Sequence, residues 1–213
     1  MDRTGKRPFT PHEVAPQQNL QVALEKALSS VARQSQQQLL WLGGEFRDDA
    51  WRLPVLNETF RIDLRKCCIS TSDSVEVGPH WSILTLHYLA ITSHPELRKP
   101  EITFADLGTA RSYAGVYHQR VIERLCATVD CDAARLRAAA EALRGRRADV
   151  GDLAFDFKVF PQFHVRLVWH LPDDEFPSSA TLLLPANAES YFCSEDLVVL
   201  SERLVSRLAG RPF

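Results

Sequence analysis

The sequence predicts an α+β protein, a single domain in which antiparallel strands pack with about five helices. Apolar residues recur at helical spacing near both ends and in the middle of the chain, and they alternate in two blocks in between. Strands and helices therefore come in runs, which favours α+β over a doubly wound parallel sheet. A chain of 213 residues with 45% hydrophobic composition can build one substantial core.

The first helix follows a proline-containing start. Residues 1–16 have no apolar core and are expected to form a flexible N-terminal arm, and residues 17–213 are expected to form the domain. Leu20, Leu24 and Leu28 recur on one face of a helix that continues to about residue 37.

The hydrophobic period changes to two after this helix. Residues 39–71 contain short apolar runs broken by Gly-Gly, Asp-Asp and Asn57, which predict two or three antiparallel strands joined by tight turns. The next helix is expected from Pro79 to about Ser93, because proline after Gly78 suits the first helical position. This helix is apolar on most sides, so it should be central and buried.

Two more helices are expected in the middle of the chain, at about 112–129 and 132–143. Either Asp130 or Asp132 can cap the start of the second one.

The alternating pattern then returns. Pro161 divides residues 152–171 into two strands or a bulged edge strand. A further strand is expected over 180–185, and a closing helix over about 194–208.

Charge and hydropathy exclude several classes of partner. The net charge is −2, so the clustered Lys and Arg of a nucleic-acid-binding protein are not expected. No stretch approaches 18 consecutive apolar residues, and the N-terminus does not resemble a secretory signal. We therefore expect a cytoplasmic protein without a membrane span, whose partner is a small-molecule ligand or another protein.

Five cysteines are present, and an odd number in a chain of this length argues against a disulfide framework. They are expected to be buried thiols, and no metal site is expected. The alternative is a redox or labile metal pair formed by Cys126 and Cys131, although their spacing does not fit a zinc site.

A His–Tyr pair interrupts the apolar helix 79–93. His87 and Tyr88 occupy positions where a core helix favours leucine. One interpretation is a histidine that hydrogen-bonds a carbonyl or a tyrosine. The other is a proton-transfer group or an axial metal ligand, because neutral imidazole can serve as either near pH 7.

Tyr113, Tyr117 and Arg120 share one face of the next helix. They predict either an arginine whose stem packs on the tyrosines or a ligand platform. In the platform, two rings would hold a planar group and the guanidinium would bind a carboxylate or phosphate.

The third polar group lies in the segment WHLPDDEFP. Trp169, Asp174 and Glu175 occur there, and acids in a turn are usually exposed to solvent. Such a turn can also supply a general base or oxygen ligands, but the spacing is not that of an EF-hand loop.

Signatures of the common catalytic classes are missing: there is no G-x-S-x-G, no P-loop and no H-E-x-x-H. Longer segments nevertheless resemble the bacterial family called domain of unknown function 3786. These segments are LTLHYL (84–89), ITFADLG (102–108), SYAGVYHQRVIERL (112–125), FPQFHVRLVWHLPDDEFPSSATLL (160–183) and YFCSEDLVVLSERL (191–204).

The resemblance implies little chemistry, because the family is uncharacterised. Some relatives are fused to iron–sulfur domains of the kind found in corrinoid methyl-transfer proteins, which implies one-carbon, corrinoid or redox metabolism. This sequence departs from that pattern, since it has no cysteine cluster that could hold an iron–sulfur centre. No cofactor can be named. The residues that the resemblance picks out are His87, Tyr88, Tyr113, Arg120, Trp169, Asp174 and Glu175.

Three functions follow as hypotheses. The first is a small-molecule or cofactor-binding module, with a pocket between the His87 helix, the Tyr113/Arg120 face and the acidic turn. The second is a non-catalytic interaction or accessory domain, in which the same residues form a buried polar network. The third is an acid–base enzyme that uses His87 with Asp174 or Glu175.

Overall fold

Two antiparallel sheets and a set of helices make up the computed structural model, which describes residues 16–97, 99–129, 132–172, 174–176 and 178–213. One continuous apolar core runs through both sheets and the helices. The predicted α+β class is therefore confirmed. The predicted arm lies outside the described residues, except that Pro16 is the first residue of a helix.

The helices differ widely in length. In chain order they are α1 (Pro16–Val31), α2 (Gln36–Trp41), α3 (Pro79–Leu89), α4 (Ala114–Tyr117), α5 (Arg124–Val129), α6 (Ala133–Ala142) and α7 (Ser194–Leu208). A π-helical segment, His118–Glu123, joins α4 to α5, so the predicted helix at 112–129 is a composite. Asp132 caps α6, accepting hydrogen bonds from the backbone N–H of the second and third helical residues. No helix in the described ranges is both long and apolar enough to cross a membrane.

The strands form two separate ladders. They are β1 (Glu45–Arg47), β2 (Ala50–Val55), β3 (Glu58–Asp63), β4 (Cys68–Ser70), β5 (Ile102–Thr103), β6 (Arg146–Ala148), β7 (Leu153–Phe160), β8 (Phe163–His170) and β9 (Ser179–Leu184). The first four pair in chain order, and the others form a sheet in the order β5-β9-β8-β7-β6.

The first sheet is a meander with the tight turns that the sequence predicts. Asp48 and Asp49 both have positive φ, 50° and 58°, as a two-residue type I′ hairpin requires. The sheet has four strands where two or three are predicted. A backbone hydrogen bond of 3.2 Å from Leu56 N–H to the carbonyl of Val159 links it to the second sheet.

The start of this region is helical, which corrects the prediction. Leu39 and Trp41, predicted to begin the strand region, belong to α2. Ser35 caps this helix by accepting a hydrogen bond from Gln38 N–H, so a local cap overrides the short apolar run.

Helix α3 occupies the centre of the fold, as predicted. Pro79 begins it after Gly78, and most of its side chains are buried. It ends at Leu89, earlier than the predicted Ser93. The side-chain amides of Gln34 and Gln38 donate hydrogen bonds to the backbone carbonyls of Leu89, Ile91 and Ser93. These carbonyls therefore have partners although the helix does not continue past Leu89.

The later strands follow the prediction closely. Pro161 and Gln162 connect β7 to β8, so the proline separates two paired strands. The strand β9 and the helix α7 lie within one residue of their expected bounds.

Candidate functional site

Helix α7 contacts three of the eight residues that the sequence singles out, namely His87, Tyr117 and Arg120. It begins after Cys193, whose sulfur accepts a hydrogen bond from Asp196 N–H at 3.5 Å. Its apolar face is buried among α3, the π-helical segment, α5 and α6. Its carboxylates meet basic side chains from α3 and from the π-helical segment.

His87 and Asp196 form the first of these contacts. The imidazole Nδ1 lies 2.9 and 3.0 Å from the two carboxylate oxygens of Asp196. A carboxylate only accepts hydrogen bonds, so Nδ1 carries the proton and Nε2 holds the lone pair when the ring is neutral. The histidine side chain is 36% exposed and that of Asp196 only 15%.

The environment of the nearby thiol, Cys193, disfavours its thiolate form. Although the residue as a whole is exposed, desolvation of its sulfur raises the pKa of Cys193, and the carboxylate of Asp196 raises it further. A catalytic cysteine needs the opposite shift, because the thiolate is the reactive form. The His87–Asp196 pair therefore orients an imidazole without generating a thiolate.

Arg120 forms the second contact with α7. Its Nε and one terminal nitrogen lie 2.8 and 2.9 Å from the two oxygens of Glu202, and Glu195 lies at 3.5 Å. The hydrogen bond with Glu202 raises the pKa of Arg120 above its ordinary value. This paired guanidinium joins the π-helical segment to α7 and is already occupied by carboxylates.

Two of the predicted tyrosines, Tyr88 and Tyr117, are buried and held by hydrogen bonds and ring contacts. The hydroxyl of Tyr88 donates to the carbonyl of Leu42 at 2.7 Å and accepts from Gln162 N–H at 3.0 Å. The hydroxyl of Tyr117 donates to Ser201 at 3.0 Å. Burial raises the pKa of both phenols, so both stay protonated at neutral pH.

The remaining predicted residues are scattered. Tyr113 is 44% exposed, just before α4, and Trp169 is fully buried in β8 with no hydrogen-bond partner for its indole N–H. Asp174 and Glu175 are exposed in the loop that leads into β9.

The acidic partners of His87 and Arg120 come from α7 and not from the acidic turn that the sequence-based hypotheses name. His87 contacts Asp196 rather than Asp174 or Glu175, and Arg120 contacts Glu202. A signal for Glu202 exists in the sequence, since it shares a helical face with Val198 and Val205. Asp196 follows the helix start, where an acid is ordinarily explained by capping and the helix dipole.

One mainly apolar cavity adjoins the predicted platform. We call it the Tyr117 cavity; its volume is about 270 Å³. Its lining includes Phe104, Tyr117, His118, Ile122, Ala180 and Leu182. The rings of Phe104 and Tyr117 stack with centroids 4.2 Å apart and planes 5° apart. Of the three residues of the predicted platform, Tyr117 is therefore the one that lines this cavity.

Other cavities of the described surface are lined by different residues. A cavity of about 90 Å³ lies beside a cross-strand network in which Arg166 pairs with Asp156 at 2.6 Å and with Glu101 at 3.5 Å. Neither His87 nor Arg120 lines this cavity or the Tyr117 cavity.

The cysteines do not come together in the described part of the chain. Cys67, Cys68 and Cys193 are exposed thiols, which corrects the expectation that they are buried, because they lie in a turn, a short edge strand and a helix cap. Cys126 is half-buried, and Cys131 lies outside the described residues, so the predicted alternative of a pair between them stays a prediction. Within the described ranges, no group of three or more His, Cys, Asp or Glu side chains is placed to hold a metal ion.

Comparisons with known proteins place the chain in a family without assigning it an activity. No curated protein and no solved structure matches it. A family model described as "Domain of unknown function (DUF3786)" matches residues 36–207, which contain α2–α6, β1–β9 and all of α7 but its last residue. The chain therefore belongs to the DUF3786 family.

Proposed function

We propose that the protein is a non-enzymatic binding module whose Tyr117 cavity receives an apolar or aromatic group of a small molecule or of a partner protein. The observation that carries the proposal is the stacked Phe104–Tyr117 pair at the wall of this cavity. The volume is near the lower end of the range for small-ligand sites, about 300–1,000 Å³. A group of one or two rings is the size that fits.

The wall of the cavity is held in place before anything binds. Ser201 fixes the hydroxyl of Tyr117, and Phe104 covers one face of its ring. A ring that is already immobilised loses little conformational entropy on binding, which favours affinity. The hydroxyl is engaged with Ser201, so Tyr117 offers a ligand its ring and not its polar end.

The polar residues support a structural role more than a catalytic one. His87 and Arg120 each pair with carboxylates of α7, which holds three helical elements together. An acid–base enzyme would use Nε2 of His87, but His87 does not line the Tyr117 cavity. A binding module needs no such contact, since the wall that recognises the ligand lies elsewhere.

A corrinoid does not fit the Tyr117 cavity, and the described cysteines do not form an iron–sulfur site. The Tyr117 cavity has room for one or two rings, far less than a corrin macrocycle needs. Cys67 and Cys68 are adjacent and exposed, and Cys193 lies at the start of α7, so they do not form a cluster site. The proposed function therefore depends on the cavity wall alone and on no such cofactor.

Binding of indole as a probe tests the proposal. We expect chemical-shift changes in the ¹H–¹³C methyl spectrum that saturate at millimolar indole. Ala114 lines the cavity, so Ala114→Phe should fill it and weaken binding at least about tenfold. Val116 lies two residues away and is 41% exposed, so Val116→Phe adds the same aromatic ring without filling the cavity and should bind as wild type does.

The control variant decides how the result is interpreted. Near-ultraviolet circular dichroism must show that both variants are folded. Equal binding of indole to wild type and to Ala114→Phe would overturn the proposal, and so would the absence of saturable binding to the wild type.

A further inference from the structure

Strand β9 has an open edge beside the Tyr117 cavity. It contains six residues, but β5 pairs only with Leu183 and Leu184. Along Ser179–Leu182, no strand of the described chain pairs with the side of β9 opposite β8. An edge of this kind presents unpaired backbone N–H and C=O groups to an incoming strand.

The local sequence explains why the edge is open. After Thr103 the chain turns into a 3-10 helix, Phe104–Asp106, and Thr103 donates hydrogen bonds from its N–H and its hydroxyl to the carboxylate of Asp106. This capping box ends β5 after two residues and directs Phe104 into the core, where it stacks on Tyr117. Within the described residues, no strand occupies the positions that would continue β5 along β9.

The cavity lies at the same place as the open edge. Ala180, Thr181 and Leu182 of β9 line one side of the Tyr117 cavity. Thr103 and Phe104, where β5 ends, line it as well. A strand that extended β9 at this edge would pass the mouth of the cavity, and its alternate side chains would point to opposite faces.

We propose that an extended segment of a partner protein adds to β9 along Ser179–Leu182 and inserts one apolar side chain into the Tyr117 cavity. The proposal rests on the proposed function of that cavity and names the class of ligand that it takes. Main-chain hydrogen bonds to β9 would supply affinity, and the cavity would select the inserted side chain.

The size of the edge favours a short segment over a second copy of the chain. Its four open residues span only about 13 Å. A stable interface between two folded copies usually buries about 800 Å² on each partner, which is more than one short strand edge and one small cavity supply.

The charge near the edge favours a partner segment with basic ends. The exposed residue Asp106 lies on the segment that leads away from β5, and the exposed residue Asp174 lies on the segment that leads into β9. Basic side chains at the ends of an added strand would complement these carboxylates.

The test uses seven-residue probe peptides with an acetylated N-terminus and an amidated C-terminus. Their sequence is KTVXVTK, in which X is phenylalanine, leucine or tryptophan, and a fourth peptide with alanine at X is the control. We expect at least one of the three to bind, and the alanine peptide to bind at least about tenfold more weakly because it leaves the cavity empty.

N-methylation of the peptide backbone tests strand addition directly. One version is methylated on the amides of residues 2, 4 and 6, and another on those of residues 3 and 5. In an added edge strand only alternate amides face β9. One version should therefore lose at least about tenfold in affinity while the other stays within about twofold of the parent.

The outcomes separate the inference from the proposed function. Equal loss in both methylated versions, or failure of all three peptides to bind while indole binds the cavity, would overturn strand addition and leave the cavity proposal intact. Failure of indole as well would sink both. A wild-type protein that sediments as a dimer, with amides of Ser179–Leu182 protected from hydrogen exchange only in the dimer, would assign the edge to a second copy instead.

Discussion

His87 on α3 and Asp196 on α7 lie 109 residues apart in sequence and connect the two helices, because the imidazole Nδ1 lies 2.9 Å from the carboxylate. Beside them, Arg120 and Glu202 connect the π-helical segment to the same helix. His87 and Arg120 therefore serve first to position α7. The Tyr117 cavity depends on this arrangement, because Ser201 of α7 holds the Tyr117 hydroxyl.

The first prediction concerns the coupling between His87 and Asp196. Urea unfolding of His87→Ala, Asp196→Asn and the double variant should give a coupling free energy of about 1 kcal/mol, modest because the imidazole is partly exposed. The effects of the two single changes should therefore not add. A coupling indistinguishable from zero would show that this contact does not help to hold α3 against α7.

The second prediction is an asymmetry between Arg120 and Glu202. The Glu202 side chain is 10% exposed and that of Arg120 is 37% exposed. Arg120→Met leaves a mostly buried carboxylate and should lower the free energy of unfolding by about 2–3 kcal/mol, whereas Glu202→Leu leaves a cation that water can reach and should cost less. The double variant should be more stable than Arg120→Met alone.

A matched change at an exposed arginine serves as the control. Arg137→Met on α6 removes the same charge from the surface and should change stability by less than about 0.5 kcal/mol. Equal losses for Arg120→Met and Arg137→Met would contradict the role given to the Arg120–Glu202 pair.

The third prediction is a pH dependence that comes from His80. Burial lowers the pKa of this histidine on α3, and the nearby charge of Arg203 lowers it further. The unfolded chain therefore binds a proton at a higher pH than the folded one does, so stability should fall as the pH drops below about 6.5 towards the lowered pKa. In His80→Gln this part of the slope between pH 7.5 and 5.5 should disappear, and an unchanged slope would contradict the assignment.

The fourth prediction separates steric clash from backbone strain at two glycines. Gly43 has φ of +86°, and an added Cβ would lie 2.4 Å from Cβ of Pro161. Gly210 has φ of +77°, but nothing lies within 4 Å of such an atom. Both Gly→Ala changes should lower the free energy of unfolding by about 1 kcal/mol, because alanine is strained at positive φ. Gly43→Ala should lower it further, because the new Cβ must displace Pro161 in the β7–β8 turn. Equal losses in thermal unfolding would show that the turn yields without cost.

The sequence was sufficient for most of the fold because the relevant signals are local. Pro79 after Gly78 begins α3 as predicted. Asp132 is the one of the two predicted candidates that caps α6, and of the two predicted arrangements at Pro161 the structure has two separate strands, β7 and β8. The end of α3 could not be predicted in this way. Gln34 donates to the carbonyl of Leu89, the last helical residue, and Gln38 donates to that of Ile91 just beyond it, each from more than 50 residues away. No local pattern records such a contact.

The candidate site was predictable only in part. His87, Tyr117 and Arg120 stand out in the sequence because polar atoms interrupt apolar faces, and the structure gives each a specific partner. Those partners belong to α7, where acids follow ordinary helix patterns. The cavity itself depends on Phe104 leaving the strand and stacking on Tyr117, a tertiary contact that no periodicity indicates.

The most direct measurement is a set of intermolecular nuclear Overhauser effects between indole and the methyl groups of the wild-type protein. Ala114, Ile122, Ala180 and Leu182 contribute methyl groups to the lining of the Tyr117 cavity. The account predicts contacts from the indole protons to these methyls, and their loss in Ala114→Phe. Contacts that map to other methyls, or that persist unchanged in Ala114→Phe, would contradict the claim that this cavity is the recognition site.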